Sequence, residues 1–206
     1  MGMRDSTREI VRPGLLLGAV GLGAAVLLVS VHLLTRDRIE LQRDRQSVAT
    51  LQQVLPESGY DNDPLRDFTE VSIAGLSGSS RVYRARKNGQ PVAAVYEITA
   101  PDGYSGPIEL LVGLDRAGRV LGVRVIGHRE TPGLGDPIEV RRSDWILQFD
   151  GRSLESPPPE DWAASRRGGA FDTITGATLT SQAVVLAVRR ALEHFESDGD
   201  AVFDGP

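Results

Sequence analysis

Hydrophobic and polar positions follow three different patterns along this chain. Residues 14–34 (GLLLGAVGLGAAVLLVSVHLL) are apolar throughout, with no Asp, Glu, Lys or Arg. A helix of twenty residues spans about 30 Å, the thickness of a bilayer's hydrocarbon core. The run is longer than the apolar region of a cleaved signal peptide, and it ends without a small-x-small cleavage site. The pattern predicts one uncleaved transmembrane helix. His32 lies near the end of this span, within reach of the interface. Arginines stand on both sides, Arg4, Arg8 and Arg12 before it and Arg36, Arg38, Arg43 and Arg45 after it, so charge gives no orientation. From Asp37 to Leu55 the apolar residues Leu41, Val48, Leu51 and Leu55 recur at helix-compatible spacings, and Pro56 stops the run. This segment reads as a helical stalk that docks on the following domain or on a partner helix.

From Phe68 the period becomes two. Residues 68–76, 81–87, 92–99, 108–115 and 119–128 are short runs rich in Val, Ile, Leu and Tyr. Asn88-Gly89 is a hairpin signal between the second and third runs, and Asp115 to Gly118 turns the fourth into the fifth. These runs predict an antiparallel sheet. Ile138 to Phe149 reads as a short helix around Trp145. Ser153 to Gly169, with three consecutive prolines and a Gly-Gly pair, reads as a surface loop. Ser181 to Phe195 places Val184, Val188, Leu192 and Phe195 on one face of an amphipathic helix. The expected class is α+β behind a membrane anchor. The expected divisions are 1–35 for the N-terminal tail and anchor, 36–56 for the stalk and 57–206 for the domain.

Composition narrows the chemistry. There is no cysteine, which excludes a disulfide framework, thiolate metal sites, iron–sulfur clusters and C-x-x-C-H haem attachment. With three histidines, one of them in the apolar span, no histidine metal cage is expected. Net charge is −5 and the only lysine is Lys87, so nucleic-acid binding is not expected. Any redox carrier would be an organic cofactor.

Three segments carry candidate chemistry. Asp172-Thr173-Ile174-Thr175-Gly176-Ala177-Thr178-Leu179-Thr180-Ser181 crowds hydroxyls around one glycine at the start of a helix. Free backbone amides and the helix dipole favour an anion there. The residues alone equally allow a plain cap, with Thr180 or Ser181 starting the helix. Thr131-Pro132-Gly133-Leu134-Gly135-Asp136 follows the fifth strand as a tight turn or an ordinary loop. Gly103-Tyr104-Ser105-Gly106-Pro107 approximates a G-x-S-x-G elbow. Pro107 replaces its last glycine and the segment leads into a strand, so a serine hydrolase is excluded. No GxxxxGK[ST] motif is present, which excludes a Walker-type nucleotidase.

In this order, after an N-terminal span, the three segments resemble the G subunit (RnfG, or RsxG) of membrane-bound ion-translocating electron transport complexes. That family is related to the C subunit of the sodium-pumping quinone reductase. The resemblance implies an FMN-binding domain with FMN joined through its phosphate to a threonine. It also implies a flavin transferase that reads Asp, two variable residues, Ser/Thr, Gly, Ala, Ser/Thr. Asp172, Thr175, Gly176, Ala177 and Thr178 match every fixed position, which makes Thr178 the expected acceptor. Thr131, Gly133, Leu134 and Gly135 match the family turn beside the flavin, and Ser181 closes the motif. Tyr104, Leu134 and Trp145 are candidates to stack on the ring. The implied role is an electron relay rather than a complete enzyme. Its partners would be the other subunits of the complex, and its soluble domain would lie on the periplasmic side of a bacterial inner membrane. The alternatives are a quinone-reductase flavin subunit, a regulatory protein bearing the same domain, or a non-redox, membrane-anchored anion-binding module.

Overall fold

In the computed structural model of the chain, residues 18, 20–25, 29, 50–55 and 59–204 are described. The chain forms two compact units, Met1–Ser47 and Val48–Pro206. In the first, the described residues Gly18, 20–25 and Val29 are helical. The rest of the expected span, and the expected stalk up to residue 49, lie outside the described residues. Among the described residues no helix is long and apolar enough to cross a membrane.

The second unit is built on five strands: β1 (Phe68–Val71), β2 (Ser80–Lys87), β3 (Gln90–Ala100), β4 (Ile108–Asp115) and β5 (Val120–Gly127). They pair antiparallel in sequence order, β1-β2-β3-β4-β5. The Asn88-Gly89 turn has φ of 52° and 76°, the left-handed geometry that this pair tolerates. The first run is shorter than its apolar pattern predicts, because Gly75 at φ 78° turns the chain after Ile73.

One long helix, α1 (Thr178–Asp204), covers one face of the sheet. Its Val184, Val188, Leu192 and Phe195 join Val82, Tyr96, Ile98, Leu110, Val112 and Leu114 in the main core. The helix starts three residues before the predicted Ser181 and runs beyond Phe195. Val202 and Phe203 at its end are also buried, and their carbonyls accept from Arg84 and Arg86 of β2.

The opposite face is also covered. Leu51, Val54 and Leu55 pack with Tyr83, Ala85, Val95 and Leu111 in a second cluster. The end of the expected stalk therefore docks on the sheet face turned away from α1. Gly113 and Gly122 make this possible. A Cβ on Gly113 would collide with the Val54 carbonyl, and one on Gly122 would lie 3.4 Å from the Gln53 carbonyl oxygen.

Two corrections concern the segment between β5 and α1. Ile138 to Phe149 is not one helix. It holds two 3-10 turns, Asp136–Ile138 and Asp144–Phe149, the second capped by Ser143, whose hydroxyl accepts the Trp145 amide. The loop from Ser153 to Gly169 is not wholly a surface element. Trp162 and Ala164 are buried, and Trp162 and Phe171 pack with Phe149 as an aromatic cluster. Three aromatic rings bury a large apolar area, and this anchors the proline-rich segment.

Candidate functional site

The three motif segments meet at one cleft of about 390 Å³, lined by Tyr104, Glu130, Thr131, Leu134, Gly135, Arg166 and residues 176–180. That volume lies within the range of small-molecule sites, roughly 300–1,000 Å³.

The helix start forms one wall. Because α1 begins at Thr178, the capping position falls on Ala177, whose side chain carries no acceptor. Ala177 O accepts the Ser181 amide at 3.0 Å. The amides of Thr178, Leu179 and Thr180 donate to no group among the described residues. A helix normally leaves its first amides for a cap, water or a ligand. Thr180 and Ser181, the expected caps, are committed elsewhere. The Ser181 hydroxyl accepts the Ile174 amide and donates to Ala177 O, both at 3.0 Å. Ser181 is thus buried behind the cleft, outside its lining. Thr180 donates to Glu130. Thr178 lines the cleft, and its hydroxyl has no partner among the described residues. Gly176 stands at φ 84°, and a Cβ there would lie 3.5 Å from Leu134 Cδ2.

The turn from Thr131 to Gly135 forms the opposite wall. Thr131 O accepts the amides of Leu134 (3.1 Å) and Gly135 (2.9 Å), while Asp136 Oδ1 accepts the Gly133 amide at 2.6 Å. Gly133, at φ 79°, is the tip of the turn and stands in open space. This geometry presents the Leu134 side chain outward, 52% exposed. Tyr104 is 70% exposed and Leu179 is also exposed, so three large apolar side chains rim the cleft.

Glu130 joins all of this together, although its role carries no sequence signal and it stands in the sequence only as the residue that leads into the turn. Its carboxylate, 4% exposed, accepts the Ser105 amide at Oε1 (3.0 Å) and the Thr180 hydroxyl at Oε2 (2.7 Å). Gly103 and Gly135 leave room for it. A Cβ on either would come within 2.9 Å of a Glu130 carboxylate oxygen. The Glu130 amide donates to His128 Nδ1 (3.1 Å), which fixes the tautomer: Nε2 carries the proton and faces Glu139 Oε1 at 2.8 Å. The hydrogen bond from His128 is the main reason the Glu139 carboxyl lies below its ordinary range, with Arg141 adding to it.

Arg166 is a second residue without a sequence signal. It sits in a 3-10 turn, Ser165–Arg167, and is the only cation lining the cleft among the described residues. Besides Ser181, the sequence candidates Gly133, Thr175, Asp172 and Trp145 lie outside the lining. Thr175 and Asp172 are exposed beside it, and Trp145 donates its indole N–H to Asp172 O (2.7 Å) while packing edge-on to Phe149. No group of acidic or histidine side chains among the described residues is arranged to hold a metal ion.

The cleft is equipped for an anion joined to an apolar group. Free amides and hydroxyls gather at a helix start, a glycine permits close approach, and Tyr104, Leu134 and Leu179 offer apolar contact. Comparison with known proteins agrees with this chemistry. Residues 103–193 match the FMN-binding domain, and residues 1–54 match the RnfG N-terminal region. The chain is 43% identical to the G subunit of the ion-translocating oxidoreductase complex of Pseudoalteromonas atlantica, over 94% of this chain and 92% of that one. It is 47% identical to the corresponding G subunit of Yersinia pestis, over 90% of each chain. With that of Stutzerimonas stutzeri it shares 48% identity, over 93% of this chain and 84% of the relative. On this similarity, which runs nearly end to end, the chain belongs to the family of G subunits of the ion-translocating oxidoreductase complex.

Proposed function

We propose that this chain is the FMN-carrying electron relay of a membrane-bound ion-translocating complex, with the cofactor joined through its phosphate to Thr178 Oγ1. One observation carries the attachment site: Thr178 lines the cleft, its hydroxyl has no partner among the described residues, and it stands at the head of uncapped amides. The other hydroxyls of the motif, Thr173, Thr180 and Ser181, are hydrogen-bonded to protein groups, and Thr175 lies outside the cleft lining. The linkage is a phosphodiester. With FAD as the donor, the threonine oxygen forms a new bond to the FMN phosphorus as the pyrophosphate P–O bond breaks, the hydroxyl proton is released and AMP leaves. Relative to free FMN and threonine the product is short of one water.

The chain's own groups supply binding and orientation. The free amides of residues 178–180 and the helix dipole receive the phosphate charge. Gly176 keeps the approach open, and Tyr104, Leu134 and Leu179 line the space for the ring. Glu130 holds the segments together from behind. The bound flavin supplies one- or two-electron redox chemistry, and the protein's part is placement and electrostatic tuning. A tethered cofactor cannot dissociate from a domain outside the cytoplasm. This suits a single-span subunit with its domain on the periplasmic side, its electron partners being other subunits of the complex. Asp172, exposed beside the helix start, is available to a flavin transferase.

The test is coexpression of the full chain with a flavin transferase, followed by denaturing electrophoresis and in-gel flavin fluorescence. The natural chain and Thr178→Ser should fluoresce, and Thr178→Ala should not. Fluorescence retained in Thr178→Ala would place the linkage on another residue, and Thr175→Ala and Thr180→Ala would then identify it.

A further inference from the structure

We infer that Arg166 is a positioning residue for the flavin phosphate, supplying the positive charge that the helix start lacks as a formal ion. The inference rests on the attachment site proposed above. Arg166 lines the cleft together with Thr178, and its guanidinium meets no carboxylate among the described residues. Most of the other described arginines between Arg81 and Arg142 are paired: Arg81, Arg84, Arg86, Arg119, Arg141 and Arg142 each face an acidic side chain. An uncommitted guanidinium beside an uncapped helix start is a matched arrangement for a phosphodiester anion, because its planar fork donates to two oxygens at once.

The backbone around Arg166 is fixed to the helix start. The Arg166 amide donates to Thr173 Oγ1 (3.2 Å), which also contacts Ser165 Oγ (3.0 Å). The Ala164 amide donates to Gln182 Oε1 at 2.8 Å, near the start of α1. Residues 164 and 171 form a bridge, and Ser165 N–H donates to Phe171 O at 2.6 Å. Gly168, at φ 84°, ends the turn, and Gly169 packs so closely on the Ala163 carbonyl that a Cβ would not fit. The turn is pinned by residues 173 and 182, on either side of Thr178, and Arg166 lines the same cleft as Thr178. Arg167, next in sequence, is exposed and does not line the cleft.

The test uses the full chain in detergent, prepared without flavin and mixed with purified flavin transferase, FAD and Mg²⁺. The initial rate of covalent flavin incorporation is compared for the natural chain, Arg166→Ala, Arg166→Lys and Arg167→Ala. We expect Arg166→Ala to slow incorporation about tenfold, Arg166→Lys to recover most of the rate, and Arg167→Ala to match the natural chain. In the flavin-loaded protein, the ³¹P resonance of the phosphodiester should shift in Arg166→Ala and stay in place in Arg167→Ala. An unchanged rate, or an unchanged ³¹P resonance in Arg166→Ala, overturns the assignment. A change in midpoint potential without a ³¹P shift would move Arg166 to the ring and also overturns it. Failure of the Thr178 reading is distinguishable, because there Thr178→Ala itself would take up flavin.

Discussion

The hydroxyl of Thr180 donates a 2.7 Å hydrogen bond to the buried carboxylate of Glu130, fifty residues earlier in the chain. The other oxygen of that carboxylate accepts the Ser105 amide. One side chain therefore holds together the strand-entry loop, the Thr131–Gly135 turn that follows it directly, and the first turn of α1.

Glu130→Ala leaves the Ser105 amide and the Thr180 hydroxyl without a partner inside the protein. The expected cost is about 1–3 kcal/mol, the penalty of leaving one buried group unsatisfied, because the Thr180 hydroxyl is buried whereas Ser105 is exposed and its amide can turn to water. Glu130→Gln should cost less, because its amide oxygen still accepts one of the two bonds. Urea denaturation of the loaded full chain checks the order, and covalent flavin content should fall in the same order.

The two glycines of the turn should respond differently. A Cβ on Gly135 would stand 2.7 Å from Glu130 Cβ, so Gly135→Ala forces the carboxylate aside and should cost ~1–3 kcal/mol together with flavin content. Gly133 has open space around it and a φ of 79°. Gly133→Ala should carry only the left-handed backbone penalty of roughly 1–2 kcal/mol. Flavin incorporation measured beside stability separates the two effects.

Gly113→Ala should act on the other side of the sheet. Its Cβ would collide with the Val54 carbonyl, so residues 50–55 should lift from the second core cluster. Limited proteolysis should then cut near residues 50–60 faster than in the natural chain, while flavin incorporation at the distant cleft continues. Equal loss of both would show that the stalk supports the cleft itself.

His194 predicts a pH dependence of stability. Burial lowers its pKa below 6.5, against a smaller opposing effect of Asp198, and its Nδ1 lies 3.2 Å from the Tyr96 hydroxyl. The unfolded chain therefore binds more protons than the folded one between the lowered value and 6.5. Stability should fall as pH drops through that window, and His194→Gln should flatten the slope. Thermal unfolding between pH 5 and 8 provides the measurement.

The period-two runs identify all five strands, since alternation and hairpin chemistry are local properties. The helix start is harder to place. Thr180 and Ser181 are good caps by residue type, but Glu130 and Ile174 claim their hydroxyls, and α1 begins at Thr178 instead. The motif residues Thr131, Leu134, Gly135 and 176–178 are legible because glycine and hydroxyl clusters stand out in a chain. Glu130 and Arg166 are not. The partners of Glu130 lie 25 and 50 residues away, and Arg166 sits in a turn whose shape depends on Thr173 and Gln182. Trp162 is hidden in a proline-rich stretch of polar appearance, and only the stacking with Phe149 and Phe171 gives it a place in the core.

Whether Thr178 carries the cofactor is decided by the intact mass of the full chain, coexpressed with a flavin transferase and denatured before measurement. The expected mass is that of the chain plus one FMN less one water, with fragmentation locating the addition on Thr178 and Thr178→Ala returning to the unmodified mass. An unmodified natural chain, or an adduct that persists in Thr178→Ala, would contradict the assignment.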